Sequence, residues 1–199
     1  NSFEQNFSNK IESKHISLGA TANLLKELVS LDSTLEISLD CNIGNDPNGQ
    51  YCKSWIKNFN KIYKNNVQFY INVVDGATSN ALIVSESEKN SRTSAVEWGV
   101  DQDKIDFINH KSEWKHFMYV DKLYNLSKKD LKIMSKNAII SIDFCLNQHS
   151  EEEIKRIFSL LDYVDYIFIS EAEAKSLTNL TKEKEMSLVL GKLCKGICI

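Results

Sequence analysis

Two glycine-bearing segments of this chain have the residue types and spacing of a small-molecule binding site. In residues 18–23, Gly19 stands directly before an apolar helical pattern; in residues 43–49, Gly44 and Gly49 flank the start of a second helix. Glycine permits tight turns, and each turn aims the unpaired N–H groups of a helix N-terminus at whatever lies beyond. Such turns line ligand sites at one edge of α/β sheets. The pair therefore predicts ligand chemistry.

One amide and three carboxylates are the candidate functional side chains. Asn23 follows Gly19, and a contact with substrate is favoured over simple capping of backbone groups. Asp46 is predicted to be a helix cap, with Pro47 in the first turn. Asp143 ends an apolar strand at the edge where such sheets bind ligands, so a site role and a structural role are both open. Glu173 begins a helix, where the helix dipole favours a carboxylate in any case.

The elements that position these side chains begin as an alternation of helix and strand. Residues 22–31 have helical periodicity, residues 35–43 alternate as a strand does, and the next helix carries an aromatic and apolar stripe predicted to be core. That stripe consists of Tyr51, Trp55, Phe59 and Ile62. Residues 67–73, 80–85 and 92–98 then predict three strands with no helix between them. Together with residues 11–18 they are predicted to form a separate small sheet, a lid.

After residue 101 the alternation returns. Strands are predicted at 115–121, 138–145 and 166–169, and helices at 127–136, 171–177 and 182–193. Ser127 is the expected N-cap of one helix, and Ser150 with Glu153 forms a capping box that opens another. The predicted fold class is α/β, with a mostly parallel central sheet covered by helices and a small β lid.

Composition excludes several classes of function. The 199 residues carry a net charge of −3, and scattered lysines form no footprint for nucleic acid or an anionic membrane. Five cysteines without a Cys-x-x-Cys pair predict reduced, buried thiols and a cytoplasmic location. The four histidines share no ligand spacing, so no direct metal site is expected. Asn1 at the start and an apolar run at the end suggest a fragment.

Taken together, these segments resemble the ribokinase-like (PfkB-type) carbohydrate and nucleoside kinases over nearly the whole chain. Residues 18–25 are similar to that family's Gly-Gly-x-x-x-Asn entry to its first helix, and residues 44–49 match its Gly-x-Asp-x-x-Gly turn. Residues 78–84 with Arg92 resemble its lid strands, residues 140–143 its strand ending in a carboxylate, and residues 166–174 its strand leading into Asn-x-x-Glu. The resemblance implies one incomplete ribokinase-like domain over residues 1–199. Its lid strands would lie at about 11–18 and 67–98, and its core at about 20–65 and 101–199.

The resemblance also implies an activity. It is that of an ATP- and Mg²⁺-dependent kinase that phosphorylates a hydroxymethyl group of a sugar or nucleoside. Gly19 and Asn23 would contact the substrate, while Glu173 and, less directly, Asp143 would orient magnesium and phosphate without binding the metal. Ser170 replaces the Asn of Asn-x-x-Glu and resembles the ketohexokinase branch, which points to a ketose. The implied partners are a small molecule and, through the lid sheet, a second copy of the chain, with no nucleic acid and no membrane.

The family's Gly-Ala-Gly-Asp motif, which carries its catalytic Asp and anion hole, does not occur in these residues. We therefore expect no catalytic residue in this fragment and no activity from the chain by itself. Leu18 and Ser170 depart from the family's motifs and motivate a second hypothesis, a non-catalytic regulatory protein that binds a sugar or nucleotide on the same fold. A third, a doubly wound nucleotide-sugar transferase, is disfavoured by the three consecutive strands.

Overall fold

The computed structural model of the protein describes residues 19–63, 67–86, 91–97, 99–100, 111–118, 127–144 and 150–198. The chain divides into two compact units. The first contains the described residues up to Leu39 and those from Ile43 to Gly99; the second contains Asp40–Asn42 and the described residues from Val100 onward. Residues 11–18, predicted to contribute to the lid, lie outside the described residues.

From residue 19 to residue 97 the described chain alternates helix and strand and then forms a hairpin. The elements are α1 (Gly19–Leu31), β1 (Ile37–Gly44), α2 (Pro47–Tyr63), β2 (Val67–Val74), β3 (Asn80–Glu86) and β4 (Ser91–Glu97). Leu25, Val29 and Phe59 form the buried centre of a small apolar cluster, which Trp55 and Tyr63 flank. Helix α2 therefore packs through residues spaced four apart, as an amphipathic helix must.

The predicted aromatic stripe on α2 is only partly core. Phe59 is 4% exposed, but Tyr51 is 40% and Ile62 is 70% exposed. The face that packs is the row Trp55, Phe59 and Tyr63, which advances by four residues at each step. Tyr51 lies one further step along that row towards the helix start, and Ile62 lies on the neighbouring row. The prediction that both are core is wrong because this cluster is too small to reach them.

Strand pairing differs from the expected grouping of the lid. Strand β2 is hydrogen-bonded to β1, which the sequence had placed in the core, whereas β3 pairs only with β4 among the described strands. The β3–β4 pair is antiparallel, with a register that runs from Asn80↔Glu97 to Glu86↔Ser91. Residues 67–74 thus complete a strand–helix–strand unit with β1 and α2, and the β3–β4 hairpin forms a two-stranded sheet without β2.

The second unit is a parallel sheet with helical connections. Its elements are β5 (Trp114–Phe117), α3 (Lys128–Met134), β6 (Ile139–Asp143), α4 (Glu151–Leu161), β7 (Tyr166–Phe168), α5 (Glu171–Thr178), α6 (Glu183–Leu190) and β8 (Gly196–Cys198). The strand order is β5-β6-β7-β8, and each neighbouring pair is parallel. The predicted α/β class is therefore confirmed.

The core of this unit forms because β6 is buried in a near-continuous run and apolar side chains recur along the helices. Ile140, Ile142 and Ile167 come from the strands, and Leu131 and Ile157 from the helices; all five are at most 1% exposed. Burying each such side chain contributes about 1.5–3 kcal/mol. Parallel strands that carry a helical layer therefore explain the near-continuous apolar run in β6.

Helix starts in the second unit follow the predicted caps. The Ser127 hydroxyl accepts a hydrogen bond from the Asp130 N–H at 3.1 Å, and Ser150 with Glu153 forms the full capping box at α4. No helix in the described ranges is long and apolar enough to cross a membrane. Among the described residues, Cys41, Cys52 and Cys194 are half-buried thiols outside any disulfide.

Candidate functional site

The predicted substrate-binding residues lie on one helix of the first unit. Gly19 begins α1 with φ of +78°, a left-handed conformation that other residues adopt only with strain. Asn23 lies in the second turn of α1 and is exposed. Gly19 thus has a backbone conformation that favours glycine, and the residues before it lie outside the described residues. Asn23 is too far along the helix to be its N-cap, which removes capping as an explanation of this side chain.

The second glycine segment is organised around Asp46. One carboxylate oxygen of Asp46 accepts hydrogen bonds from the Gly49 N–H at 2.9 Å and the Thr78 hydroxyl at 2.6 Å, and the other accepts from the Thr78 N–H at 3.1 Å. Thr78 Oγ1 in turn accepts from the Gly44 N–H at 2.9 Å. The hydrogen bond from the Thr78 side chain is the largest cause of the lowered pKa of Asp46. The predicted helix cap is present, and Thr78, which the sequence did not single out, is its second anchor.

Close backbone contact explains why glycine is needed around this anchor. A Cβ placed on Gly44 would lie 2.6 Å from the Thr78 nitrogen, and one placed on Gly49 would overlap the Gly44 carbonyl oxygen. A Cβ on Gly99 would lie 2.5 Å from the Ser79 nitrogen. All three glycines therefore allow the turn after β1 and the segment after β2 to pack with their backbones in close contact.

The two carboxylates predicted to act near magnesium lie at one edge of the parallel sheet. Asp143 is the last residue of β6 and is in register with Phe168, the last residue of β7. Ser170 follows two residues later and caps α5, which contains Glu173. Asp143, Ser170 and Glu173 thus share the carboxyl edge of the sheet, where open α/β sheets bind ligands.

Glu173 has a clear local role at this edge. It is 7% exposed, and its Oε2 accepts hydrogen bonds from the Ser170 N–H at 2.8 Å and the Ser170 hydroxyl at 2.6 Å. The Glu173 N–H donates back to Ser170 Oγ at 3.3 Å, which completes a capping box. Glu173 therefore orders the start of α5, and Ser170 is an effective cap although it departs from the family's Asn.

One polar cluster was missed by the sequence analysis. Ser141 is fully buried in β6, and its hydroxyl lies 2.6 Å from Trp114 Nε1 and 2.8 Å from His116 Nδ1. Trp114 also stacks on Tyr166, and the His116 ring meets Phe168 edge-on. The sequence signal that could have predicted this cluster is a single serine within an apolar strand, together with a neighbouring strand that contains Trp-x-His.

The His116 ring is expected to make stability depend on pH. Although the residue keeps solvent exposure, desolvation lowers the pKa of its imidazole. Trp114 Nε1 can only donate to Ser141 Oγ, and the Ser141 hydroxyl can donate to His116 Nδ1 when that nitrogen carries no proton. Between the lowered pKa and the ordinary value of about 6.5, the unfolded chain binds more protons than the folded one, so stability falls as pH falls.

The measurement is the melting temperature from about pH 7.5 down to about pH 5.5, across the ordinary imidazole pKa. We expect the wild type to lose more stability than His116→Gln, which cannot titrate. Parallel curves for the two proteins would contradict a depressed imidazole pKa.

The opposite, amino edge of the sheet holds a structural ion pair. Asp165 precedes β7; one of its carboxylate oxygens accepts from the Ile140 N–H at 2.8 Å, and the other pairs with Lys195. Burial opposes ionisation of Asp165, but these contacts outweigh it, and its pKa is lowered. An open cleft of about 390 Å³ beside it is lined by the connections that lead into β6, β7 and β8, among them Ser135 and Lys192. This cleft lies away from the carboxyl edge that carries Asp143 and Glu173.

The described residues contain no group of three or more His, Cys, Asp or Glu side chains able to hold a metal ion. Magnesium does not require such a group, because it is usually held by one or two carboxylates together with phosphates and waters. Asp143 and Glu173 supply hard oxygen atoms at a single sheet edge. Their chemistry therefore fits a supporting role towards magnesium.

Comparison with solved structures identifies the fold. An adenosine kinase from Sinorhizobium meliloti matches with a TM-score of 0.74 and 16% identity, over 98% of this chain and 62% of that chain. A PfkB protein from a Polaromonas species matches with a TM-score of 0.64 and 15% identity, over 93% and 66%. A ribokinase from Thermotoga maritima gives 0.59 and 16%, over 91% and 61%.

These likenesses show that the chain has a ribokinase-like fold, as its motifs predicted. No family model and no curated protein matches the sequence. The chain spans about three fifths to two thirds of the length of the three solved structures named above.

Proposed function

We propose that this chain is part of a cytoplasmic, ATP-dependent kinase that phosphorylates a hydroxymethyl group of a sugar or nucleoside. The observation that carries the proposal is the match of more than nine tenths of the chain to kinases of both kinds. Ser170 at the start of α5 favours a ketose among the sugars. The placement of Asp143 and Glu173 at the ligand-binding edge of the sheet supports the same conclusion.

In this proposal the first unit contacts and covers the substrate. Gly19 lets a ligand approach the start of α1, and the Asn23 amide hydrogen-bonds a substrate hydroxyl. The β3–β4 hairpin acts as a lid that excludes water, which would otherwise compete as phosphoryl acceptor. Exposed apolar side chains on this hairpin, Ile83 at 52% and Val96 at 46%, also suit pairing with a second copy.

Magnesium, when bound, neutralises charge that develops on the transferring phosphoryl group. Glu173 and, less directly, Asp143 are the residues of this chain that would orient its water ligands. The capping box with Ser170 would fix the orientation of the Glu173 carboxylate for this role. ATP is the proposed donor, and the chain by itself is expected to be inactive since it lacks the Gly-Ala-Gly-Asp motif.

The proposal is tested by an ATP-consumption assay on the protein that carries this chain with its flanking sequence. The acceptors are a ketose, ribose and adenosine, and the 199-residue chain is assayed in parallel. Phosphorylation of any acceptor by the longer protein supports the proposal, and turnover by the 199-residue chain would refute the expected inactivity. Absence of both turnover and acceptor binding would overturn the function.

A second candidate is a non-catalytic protein that binds a sugar or nucleotide and regulates another activity. The observation that favours it is the use of the Glu173 carboxylate as a helix cap, since a structural role explains that residue without chemistry. Calorimetric binding of an acceptor without ATP consumption would select this candidate over the kinase.

Substitution Asn23→Ala should weaken acceptor binding. Loss of one hydrogen bond to a neutral group costs about 0.5–1.5 kcal/mol, so we expect acceptor KM to rise a few-fold to about tenfold. The melting temperature should stay unchanged because Asn23 is exposed. Lys26→Ala, at an exposed position one turn along α1, is the control. An unchanged acceptor KM in Asn23→Ala would remove Asn23 from the site.

A further inference from the structure

The parallel sheet of the second unit carries the helices of that unit on one face. Ile140 and Ile142 of β6 and Ile167 of β7 share one apolar core with side chains from α3, α4, α5 and α6. The strands follow one another in the order β5-β6-β7-β8, and right-handed connections along such an order all pass over the same face. The described helices of this unit therefore leave the other face of the sheet without a helical layer.

That other face, called the aromatic face below, is lined mostly by rings. Side chains in register on neighbouring strands project from the same side of a sheet, and the register pairs His116 with Ser141 and Ser141 with Tyr166. With the residues two positions away on the same strands, the described part of the aromatic face consists of Trp114, His116, Ile139, Ser141, Tyr166 and Phe168.

The side chains of the aromatic face contact one another and remain open to solvent. Trp114 stacks on Tyr166 with ring centroids 5.4 Å apart, and the His116 ring meets Phe168 edge-on at 5.6 Å. Trp114 is 49%, Phe168 40% and Ile139 38% exposed. The face is thus an apolar surface that spans β5, β6 and β7.

The polar atoms of the aromatic face are paired within it. The fully buried Ser141 hydroxyl lies 2.6 Å from Trp114 Nε1 and 2.8 Å from His116 Nδ1. Desolvation lowers the pKa of the His116 imidazole below its ordinary value of about 6.5, so the ring is mostly uncharged at pH 7. The six residues of the face include no Lys, Arg, Asp or Glu. The face therefore suits an apolar cover and offers a charged partner nothing to pair with.

The size of the aromatic face indicates what kind of cover fits it. Sheets of parallel strands are almost always covered on both faces, usually by helices. Three adjacent strands at a spacing of about 4.8 Å span about 10 Å, and one α-helix with its side chains is about 10–12 Å wide. A single amphipathic helix is therefore wide enough to cover the rings.

The length of the matched kinases indicates where such a helix would come from. This chain spans only about three fifths to two thirds of those structures, so more than a third of their length has no counterpart here. A segment of the same polypeptide also meets the face at a high effective concentration, which favours it over a separate protein.

We infer that the aromatic face is the docking surface for an amphipathic helix of the same polypeptide, outside these 199 residues. The inference rests on the proposed function only where that proposal makes the chain part of a longer protein, and it requires no kinase activity. The docked helix presents apolar side chains to Trp114, Ile139 and Phe168 and keeps its charged side chains away from them.

The test is thiol labelling of the protein that carries this chain with its flanking sequence. Ile139→Cys and Phe168→Cys each place a thiol on the aromatic face, and Ile133→Cys places one on α3 as the control. The three replaced side chains are matched in exposure, at 38–40%. We expect the two thiols on the aromatic face to react with a maleimide at least about tenfold more slowly than the control, because a covered thiol reacts only when its cover opens. Peptide mass spectrometry separates these thiols from the native cysteines.

The 199-residue chain, labelled in parallel, shows whether the cover comes from outside it. There all three variants should react at similar rates, and thermal melts check that each variant is folded. Two positions on the face are used so that one variant that fails to fold does not decide the result.

Three results would overturn the inference. Equal rates in the longer protein would show that the face stays open. Slow labelling of the face in the dilute 199-residue chain would show a cover from within the chain, and slowing only at high concentration would show a second copy. The ATP-consumption assay is independent: a protected face without turnover or acceptor binding would overturn the kinase proposal alone, and turnover with an open face would overturn this inference alone.

Discussion

Substitution Gly49→Ala is expected to destabilise the protein by about 3 kcal/mol, the upper part of the range for overpacked sites, which lowers its melting temperature by about 6–12 °C. A Cβ at this position would overlap the Gly44 carbonyl oxygen and come within 3.2 Å of Thr78 Oγ1. Both neighbours belong to the hydrogen-bonded turn around Asp46, so neither can move without loss of a hydrogen bond. Thermal unfolding followed by circular dichroism measures the effect.

Asn48→Ala is the matched control for this prediction. Asn48 is exposed in the same first turn of α2, so alanine there should change the melting temperature by less than about 2 °C, the usual range for surface substitutions. If Gly49→Ala melts as the control does, the close approach of the two backbone segments around Thr78 is not present in solution.

Substitution Glu173→Gln is expected to lower kcat of the kinase ten- to a hundred-fold, about the loss seen when a partner that orients a metal's ligands is removed. Glutamine at the third helical position still completes a capping box, so the start of α5 should stay ordered and the melting temperature should change little. The variant removes the negative charge and keeps the local structure. Steady-state kinetics and thermal melts of the same preparation provide both readouts.

Two further variants separate charge from structure at this helix start. Glu171→Gln removes an exposed carboxylate from the same turn, one that pairs with Lys175 at 2.7 Å, and should leave kcat unchanged. Ser170→Ala breaks the capping box and should lower stability by about 0.5–2 kcal/mol while the Glu173 charge remains. Unchanged kcat in Glu173→Gln would leave Glu173 as a helix cap only and would favour the non-catalytic candidate.

Local features of this protein could be predicted from its sequence. The caps at Ser127 and Ser150, the turn at Gly19 and the cap at Asp46 depend on groups within about four residues of each other. The same holds for the helix and strand periodicities, because helical hydrogen bonds and side-chain alternation are short-range. These features predicted the α/β class, and the resemblance of five motif segments to a known family predicted the ribokinase-like fold.

Strand partners were not predictable in the same way. Strand β2 looked like a third lid strand because no helix separates it from β3, yet it pairs with β1 across helix α2. Pairing is chosen by which faces bury together, and the pattern along one strand does not contain that information. The exposure of Tyr51 and Ile62 was unpredictable for a similar reason. Helical periodicity identifies the apolar face of a helix, but it does not show how much of that face other elements bury.

For the candidate sites too, some features were predictable from the sequence and others depended on the tertiary structure. The sequence by itself suggested which residues could do chemistry, Asn23, Asp143 and Glu173 among them, and that Asp143 ends a strand and Glu173 begins a helix. Only the tertiary structure brought Thr78 to Asp46 across 32 residues and Ser141 to His116 across 25. The physical reason is that burial and charge pairing are properties of the packed chain, whereas capping and periodicity are properties of neighbouring residues.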